Sequence, residues 1–444
     1  MRISFLQGKA GRLVELNQMI ARNSVRLEEP DDLDELVAEI GDAQYVLLGE
    51  ASHGTHEYYT WRTQISKRLI EEKGFSFIAV EGDWPDCYRL NRYIKNYPDA
   101  GKSAYEVLHA FNRWPTWMWA NWEVVALAEW LKQFNTRHQR TSKVGFYGLD
   151  VYSLWESLAT IIAYLDKKDP ATKHTAMEAL ACFEPYSDDE GRAYARASMI
   201  VPNLCEDEVI DLLMQIRKNM PSYNTDHEAV MSAEQNAHVI VNAERYYRAM
   251  IRPGNASWNI RDHHMADTLY RLIDFYGPQA KGIVWEHNTH IGDARATDMA
   301  HQGLVNVGQL VREDRSVEGV YAVGFGSYKG TVVAGQEWGD VMRVMHVPEA
   351  IPDSWEHILH QLGAGDRIVF MKAEMKKELE GLTFNHRAIG VVYHPRYEKP
   401  GNYVPSRITD RYDAFVYLDK TSALHPLHIV PNGLQIPETF PFGV

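Results

Sequence analysis

The sequence predicts an α/β protein: a three-layer parallel or mixed sheet core with a large helical insertion and a site at the carboxyl ends of the strands. Three observations carry this expectation. Four short apolar runs lead straight into residues able to do chemistry. Tyr45-Val46-Leu47-Leu48 enters Gly49-Glu50-Ala51-Ser52-His53-Gly54, and Phe77-Ile78-Ala79-Val80 enters Glu81-Gly82-Asp83-Trp84. Val144-Gly145-Phe146-Tyr147-Gly148 leads to Asp150, and Ile283-Val284-Trp285 to Glu286-His287-Asn288-Thr289-His290. Helical patterns lie between them, so the runs read as buried parallel strands. Ligands of open parallel sheets bind outside the carboxyl ends of the strands, so neighbouring strands would bring these histidines and carboxylates into one crevice.

Taken in order, residues 1–43 read as one or two opening helices, the second over Asp32–Ile40. A strand at 45–48 precedes a helix near 56–73. The strand at 77–80 precedes a helix from Pro85, and proline suits a first helical turn. Residues 121–137 form a helix that feeds the strand at 144–148. From about 155 to 276 the pattern is helical, with helices near 228–250 and 260–276 around a Pro253-Gly254-Asn255 turn. Strands resume at 281–285, 319–324, 367–371, 388–393 and 413–418. The expected division is 1–154 for the first part of the core, 155–276 for a helical insertion or lid, and 277–444 for the rest of the core.

Hydrophobic residues make up 45% of the 444-residue chain, enough for a large core, and the net charge of −14 comes without a basic block. That balance argues against nucleic acid and anionic membrane partners. No apolar stretch reaches the roughly 18 residues needed to span a bilayer. Met1–Gly8 lacks a signal-peptide pattern, so the expected location is cytoplasmic. Cys87, Cys182 and Cys205 are odd in number and form no C-x-x-C pair, so they are expected as buried thiols in a reducing compartment. Twelve tryptophans and twenty-four tyrosines are more than packing needs and suit the walls of a cleft.

His53 stands in a glycine-flanked turn beyond a strand end, a place for a general base near neutral pH. A lone loop histidine bonded to backbone is the ordinary alternative; Glu50 and the other strand ends favour function. Gly49 and Gly54 would tighten the turn and admit a ligand to the backbone. Ser52 is half of a G-x-S-x-G elbow, with Glu50 two before it and Gly54 two after, so it reads as a turn residue. Glu81 could orient a histidine, share a proton or bind a metal, or form an ion pair with Arg62. Asp83, Trp84 and Asp150 are candidate substrate contacts. So is Trp117, although the Trp114–Trp119 cluster fits a packing plug equally well. Glu286, His287 and His290 lack the H-E-x-x-H pattern; with the other glutamates they make either a divalent-metal site or a proton-transfer network around water.

With these residues in view, the chain resembles the erythromycin esterase family over nearly its whole length. The resemblance rests on Gly49–Glu57, Val80–Trp84 and Trp285–Asp293, with Asn242–Tyr247, Ser257–Asp262, His386–Gly390 and Gly401–Pro405. It implies an α/β fold with helical additions and hydrolysis of a carboxylic ester or lactone, macrolides among the candidates, without a covalent serine intermediate. Carried across, the essential histidine falls on His53 and the supporting positions on Glu50, Arg62, Glu81, His287 and His290. No cofactor is expected, with a divalent metal left open. The expected partner is a small-molecule ester or lactone. Two alternatives stand beside this: a metal-dependent hydrolase using the same Glu/His cluster, and a non-catalytic small-molecule-binding or biosynthetic accessory protein.

Overall fold

A computed structural model describes residues 16–428, except 139–141, 167, 190, 202–203, 220–225, 253 and 316–318. Its strands in chain order are β1 (Ser24–Arg26), β2 (Tyr45–Leu48), β3 (Phe77–Asp83), β4 (Gly145–Asp150), β5 (Gly282–Trp285) and β6 (Val320–Ala334). They continue with β7 (Arg343–Val347), β8 (Arg367–Phe370), β9 (Phe384–Arg387), β10 (Tyr403–Ser406) and β11 (Ala414–Thr421). Nine of these form one mixed sheet in the order β1-β8-β11-β6-β2-β5-β3-β4, with β7 paired to β6; β9 and β10 form a separate hairpin. Every neighbouring pair from β11 to β4 in that order is parallel.

Period-two alternation distributes the strand side chains between two layers of helices. Val46, Leu48, Ile78, Val80, Ile283 and Trp285 join one cluster with Ile65, Leu69, Leu127 and Leu131 of helices His56–Lys73 and Trp122–Arg137. Tyr45, Leu47, Phe77, Ala79 and Val284 join the other with Leu269, Leu272 and Val311 of helices Ala256–Tyr276 and Val307–Arg315. The result is the three-layer α/β core. Local signals set the helix ends. The Asn121 side chain accepts from Val124 N at 2.8 Å to cap the second helix of the first layer, and Gly74 ends the helix before it at φ 74°.

A third apolar cluster gathers Leu158, Ile161, Phe183, Leu212 and Ile240 from helices Leu154–Leu165, Pro170–Phe183, Glu206–Asn219 and His227–Met250. The helix Ala256–Tyr276 packs beside His227–Met250 of this group and also against the sheet. Pro253 of the expected turn, and residues 1–15 of the opening helical stretch, lie outside the described residues.

Two expectations are corrected. Cys182 and Cys205 form a disulfide, with Cα atoms 6.0 Å apart, and only Cys87 is a free, buried thiol. Packing of the helical segment brings the pair together across a spacing that matches no sequence pattern, and the thiol argument for a reducing compartment falls with it. The strand expected at 388–393 lies earlier, as β9. Residues 388–393 instead form isolated bridges, Ile389 to Ser52 and Val392 to Gly335. Among the described residues no helix is long and apolar enough to cross a membrane.

Gly49 and Gly54 admit protein, not ligand. A Cβ on Gly49 would fall 2.1 Å from Asn288 Oδ1, and one on Gly54 would fall 1.9 Å from the Val333 carbonyl oxygen of β6. Because the second obstacle is backbone, Gly54→Ala is expected to cost about 3 kcal/mol, at the upper end for overpacking. Urea unfolding checks this; a midpoint equal to wild type would mean that the turn does not need the close approach.

Candidate active site

Leu48, Trp285, Val80 and Gly148 stand level in adjacent strands β2, β5, β3 and β4. The four polar sequences that follow them therefore emerge side by side. Above them lies a cavity of about 430 Å³, lined in part by His53, Glu81, Asp83, Asp150, Arg261, His287 and His290.

His53 is buried and held from behind. Its Nδ1 lies 3.0 Å from Glu50 Oε1, and the other Glu50 oxygen accepts from Arg62 Nη2 at 2.7 Å. Arg62 is fully buried, its guanidinium carbon 4.5 Å from the Tyr59 ring centroid and 4.7 Å from that of Trp285. Those contacts fix the cation that fixes Glu50. Burial is the largest influence on His53 and opposes its charge. The negative charge of Glu81 and the hydrogen bond and charge of Glu50 outweigh it, holding the pKa above the ordinary 6.5. The turn itself is clamped: Ile389 N donates to Ala51 O at 2.8 Å, and Tyr59 Oη donates to His53 O at 3.1 Å.

Arg261 joins the remaining strand ends. Its Nε and Nη2 donate to the two Asp150 carboxylate oxygens at 2.9 and 2.7 Å, and Nη2 also donates to Glu81 Oε1 at 2.7 Å. Nη1 donates to His290 Nε2 at 3.1 Å. A guanidinium has no acceptor, so His290 Nε2 accepts and His290 Nδ1 donates to Asp262 Oδ1 at 2.9 Å. Burial works against the Glu81 charge, but His290, His53, Arg261 and the His287 backbone N–H at 2.9 Å hold its pKa well below the carboxylate range.

His287 faces His53 with ring centroids 5.0 Å apart. Its Nδ1 lies 2.8 Å from Thr289 Oγ1 and accepts from Thr289 N at 3.3 Å. That assigns the ring hydrogen to Nε2, which is buried near the Ala51 backbone. Burial, then the His53 charge, pushes the His287 pKa well below 6.5. Glu286 is fully buried, neither of its carboxyl oxygens has a hydrogen bond, and burial beside Glu81 and Asp262 pushes its pKa well above 4.5.

The expected set is thus divided. His53, Glu81, His287, His290, Asp83 and Asp150 line the cavity, and Glu50 and Arg62 stand behind His53. Arg62 pairs with Glu50, not Glu81, whose cation is Arg261. Trp84 is not a pocket wall: it opens a helix, and its ring turns inward to stack on Tyr88 and Tyr147 at 6.2 and 5.5 Å. Trp117 is likewise a packing residue, fully buried and edge-on to Trp114 at 5.4 Å. Its neighbours Trp114 and Trp119 line the cavity instead, with Trp258 and Trp338. Asp83 is engaged by Arg113 Nη1 at 2.9 and 3.0 Å. Asp86 also lines the cavity, its pKa pushed up to about 7 by burial and then by the Asp83 charge. Sequence reasoning gave no role to Arg261. Its one signal was its place in the Ser257–Asp262 segment that carries the family resemblance.

The erythromycin esterase family model matches residues 70–421. The chain belongs to the erythromycin esterase family. This is a family of hydrolases; the matched stretch covers Glu81, Arg261, His287 and His290 and begins after Glu50, His53 and Arg62. A curated relative from Bacillus subtilis (strain 168), named "Putative hydrolase YbfO", is 22% identical over 413 residues, covering 87% of this chain and 84% of its own length. A Bacillus cereus protein of known structure has a TM-score of 0.77 at 20% identity, covering 94% of this chain and 99% of its own. A structure described as a succinoglycan biosynthesis protein gives 0.75 at 20%, with 93% and 98% covered. An erythromycin esterase EreC mutant in its open conformation gives 0.64 at 16%, with 89% and 95% covered. At these identities the solved structures show a shared fold.

Glu286 gives a test of the site's electrostatics. Its pKa is raised in the folded protein, so the unfolded chain loses that proton first and wild-type stability falls as pH rises above the ordinary 4.5. Glu286→Gln removes the titration. Its melting temperature relative to wild type is expected to climb between about pH 5 and pH 8 in thermal scans. A difference constant over that range would mean that the folded state holds Glu286 ionised.

Proposed function

We propose that this member of the family hydrolyses a carboxylic ester or lactone by attack of water activated by His53, with no covalent serine intermediate. One observation carries the reading: Glu50 holds His53 at Nδ1, leaving Nε2 as the ring nitrogen available for a water proton, opposite His287. Glu50 orients the ring and stabilises its cation. Arg62 acts through Glu50, since it is fully buried and does not line the cavity. His287, kept neutral with its hydrogen on Nε2, donates to the carbonyl oxygen as negative charge develops there. His290 has both ring nitrogens engaged, by Asp262 and Arg261, and Arg261 holds Glu81 in place. Ser52 is a poor nucleophile here: its hydroxyl is bonded to Thr55 Oγ1 and it does not line the cavity.

The donor set does not suit a divalent ion. The arginine guanidinium of residue 261 already occupies the place between Glu81, Asp150 and His290 that a cation would take, and lone pairs of all three are turned toward it. This supports hydrolysis without a metal. The aromatic wall of Trp114, Trp119, Trp258 and Trp338 suits a bulky, partly apolar substrate such as a lactone.

His53→Ala is expected to lower kcat about 10²- to 10⁴-fold while leaving the fold intact. Wild type and variant compared on a panel of aryl esters, small lactones and macrolides test this. Equal turnover would remove His53 from the mechanism, and silence from folded wild type across the panel would favour the binding-protein alternative.

The pH profile supplies an independent check. His53 works as a base only when unprotonated, so kcat/KM should rise with pH through a pKa above 6.5. Glu50→Gln removes a charge that raises that pKa and should move the acid limb to lower pH. A limb that stays fixed, or moves upward, would mean that a different group titrates.

A further inference from the structure

Away from the cavity, three side chains with metal-binding atoms meet at one point. His56 opens the helix that follows the catalytic turn, Glu123 lies in the first turn of the helix Trp122–Arg137, and His425 belongs to the segment after β11. His56 Nδ1 lies 2.6 Å and His425 Nδ1 2.7 Å from the same oxygen, Glu123 Oε1. That oxygen also accepts from His425 N at 3.2 Å. The three ligand atoms all fall within 4.8 Å of one another. Glu123 is buried, while the His425 side chain is 52% exposed and leaves a route from solvent. None of the three lines the active-site cavity.

We propose that His56, Glu123 and His425 bind one divalent transition-metal ion of the zinc class, which fastens the C-terminal segment to the helix carrying the catalytic turn. Two imidazoles and a carboxylate are a borderline donor set, suited to zinc and poorly suited to magnesium or calcium. The ligands are preorganised by backbone. His56 N donates to Ser422 O at 2.9 Å and Trp122 N to His425 O at 3.0 Å. Bridges join Thr55 to Ala423 and Asn121 to Pro426. Zinc–ligand distances near 2.0–2.2 Å put tetrahedral ligand atoms roughly 3.3 Å apart. The present contacts must therefore open by about 0.6 Å, by movement of the half-exposed His425 ring and of the partly exposed His56 ring. On binding, Nδ1 of each ring gives up its hydrogen and presents the freed lone pair to the ion, with the remaining ring hydrogen on Nε2. Water fills the fourth position on the solvent side.

The experiment is zinc titration of the full chain after chelator treatment, followed by calorimetry and by thermal unfolding with and without zinc. Wild type is expected to bind one equivalent and gain several degrees in melting temperature. His425→Ala, a change at a half-exposed position, should keep its zinc-free melting temperature within a few degrees of wild type, bind at least tenfold more weakly and lose the gain. His53→Ala should keep both the equivalent and the gain, because the ion lies outside the cavity. Absence of a stoichiometric equivalent in wild type, its retention in His425→Ala, or its loss in His53→Ala would each overturn the assignment. So would a gain given by magnesium and not by zinc. Cobalt in place of zinc gives a second reading on wild type alone, since tetrahedral coordination brings visible ligand-field absorption far stronger than the weak bands of free aqueous cobalt.

Discussion

The buried guanidinium of Arg261 ties the polar groups at the strand ends together, joining Glu81, Asp150 and His290. Glu81 and Glu286 end neighbouring strands, and both are buried. Glu81 touches Arg261 and stays ionised; Glu286 has no hydrogen-bonded partner and holds its proton. The Glu81 charge in turn raises the His53 pKa, while the Arg261 charge works in the opposite direction. Removing one partner of such a buried ion pair typically costs about 3–5 kcal/mol, because the other is left charged and unpaired.

A second cation plays the corresponding part behind the histidine. Arg62 is stacked against Tyr59 and Trp285, so Glu50 has a fixed support and His53 a fixed orientation. The turn holding these residues is shaped by close approaches at Gly49 and Gly54 and by the bridge to Ile389. The His53 ring is therefore positioned by packing on all sides, with its orientation left little freedom.

Much of this was legible in the sequence, because an apolar run ending in Glu or His announces both a buried strand and where its carboxyl end lies. What the sequence did not carry was direction after the strand ends. Trp84 and Trp119 both follow β3, yet the first turns into the core and the second toward the cavity, since helix geometry and the packing of Tyr88 and Tyr147 decide it. Arg261 stayed without a role for the same reason: its partners come from strands far away in the chain. The Cys182–Cys205 pairing likewise depends on how helices pack, which no local pattern records.

The sheet order has a consequence for how the chain is made. β5 lies between β2 and β3, and β2 is covered on its other side by β6. During synthesis β2 and β3 emerge early but have no shared edge; β3 can pair with β4, while its other edge and both edges of β2 wait for strands encoded beyond the whole helical segment. Until then their apolar edges are open to unwanted pairing. The high contact order of this arrangement favours slow, late assembly. A ribosome-bound chain stopped before β5 would hold Glu50, His53 and Glu81 without the strand that brings them together.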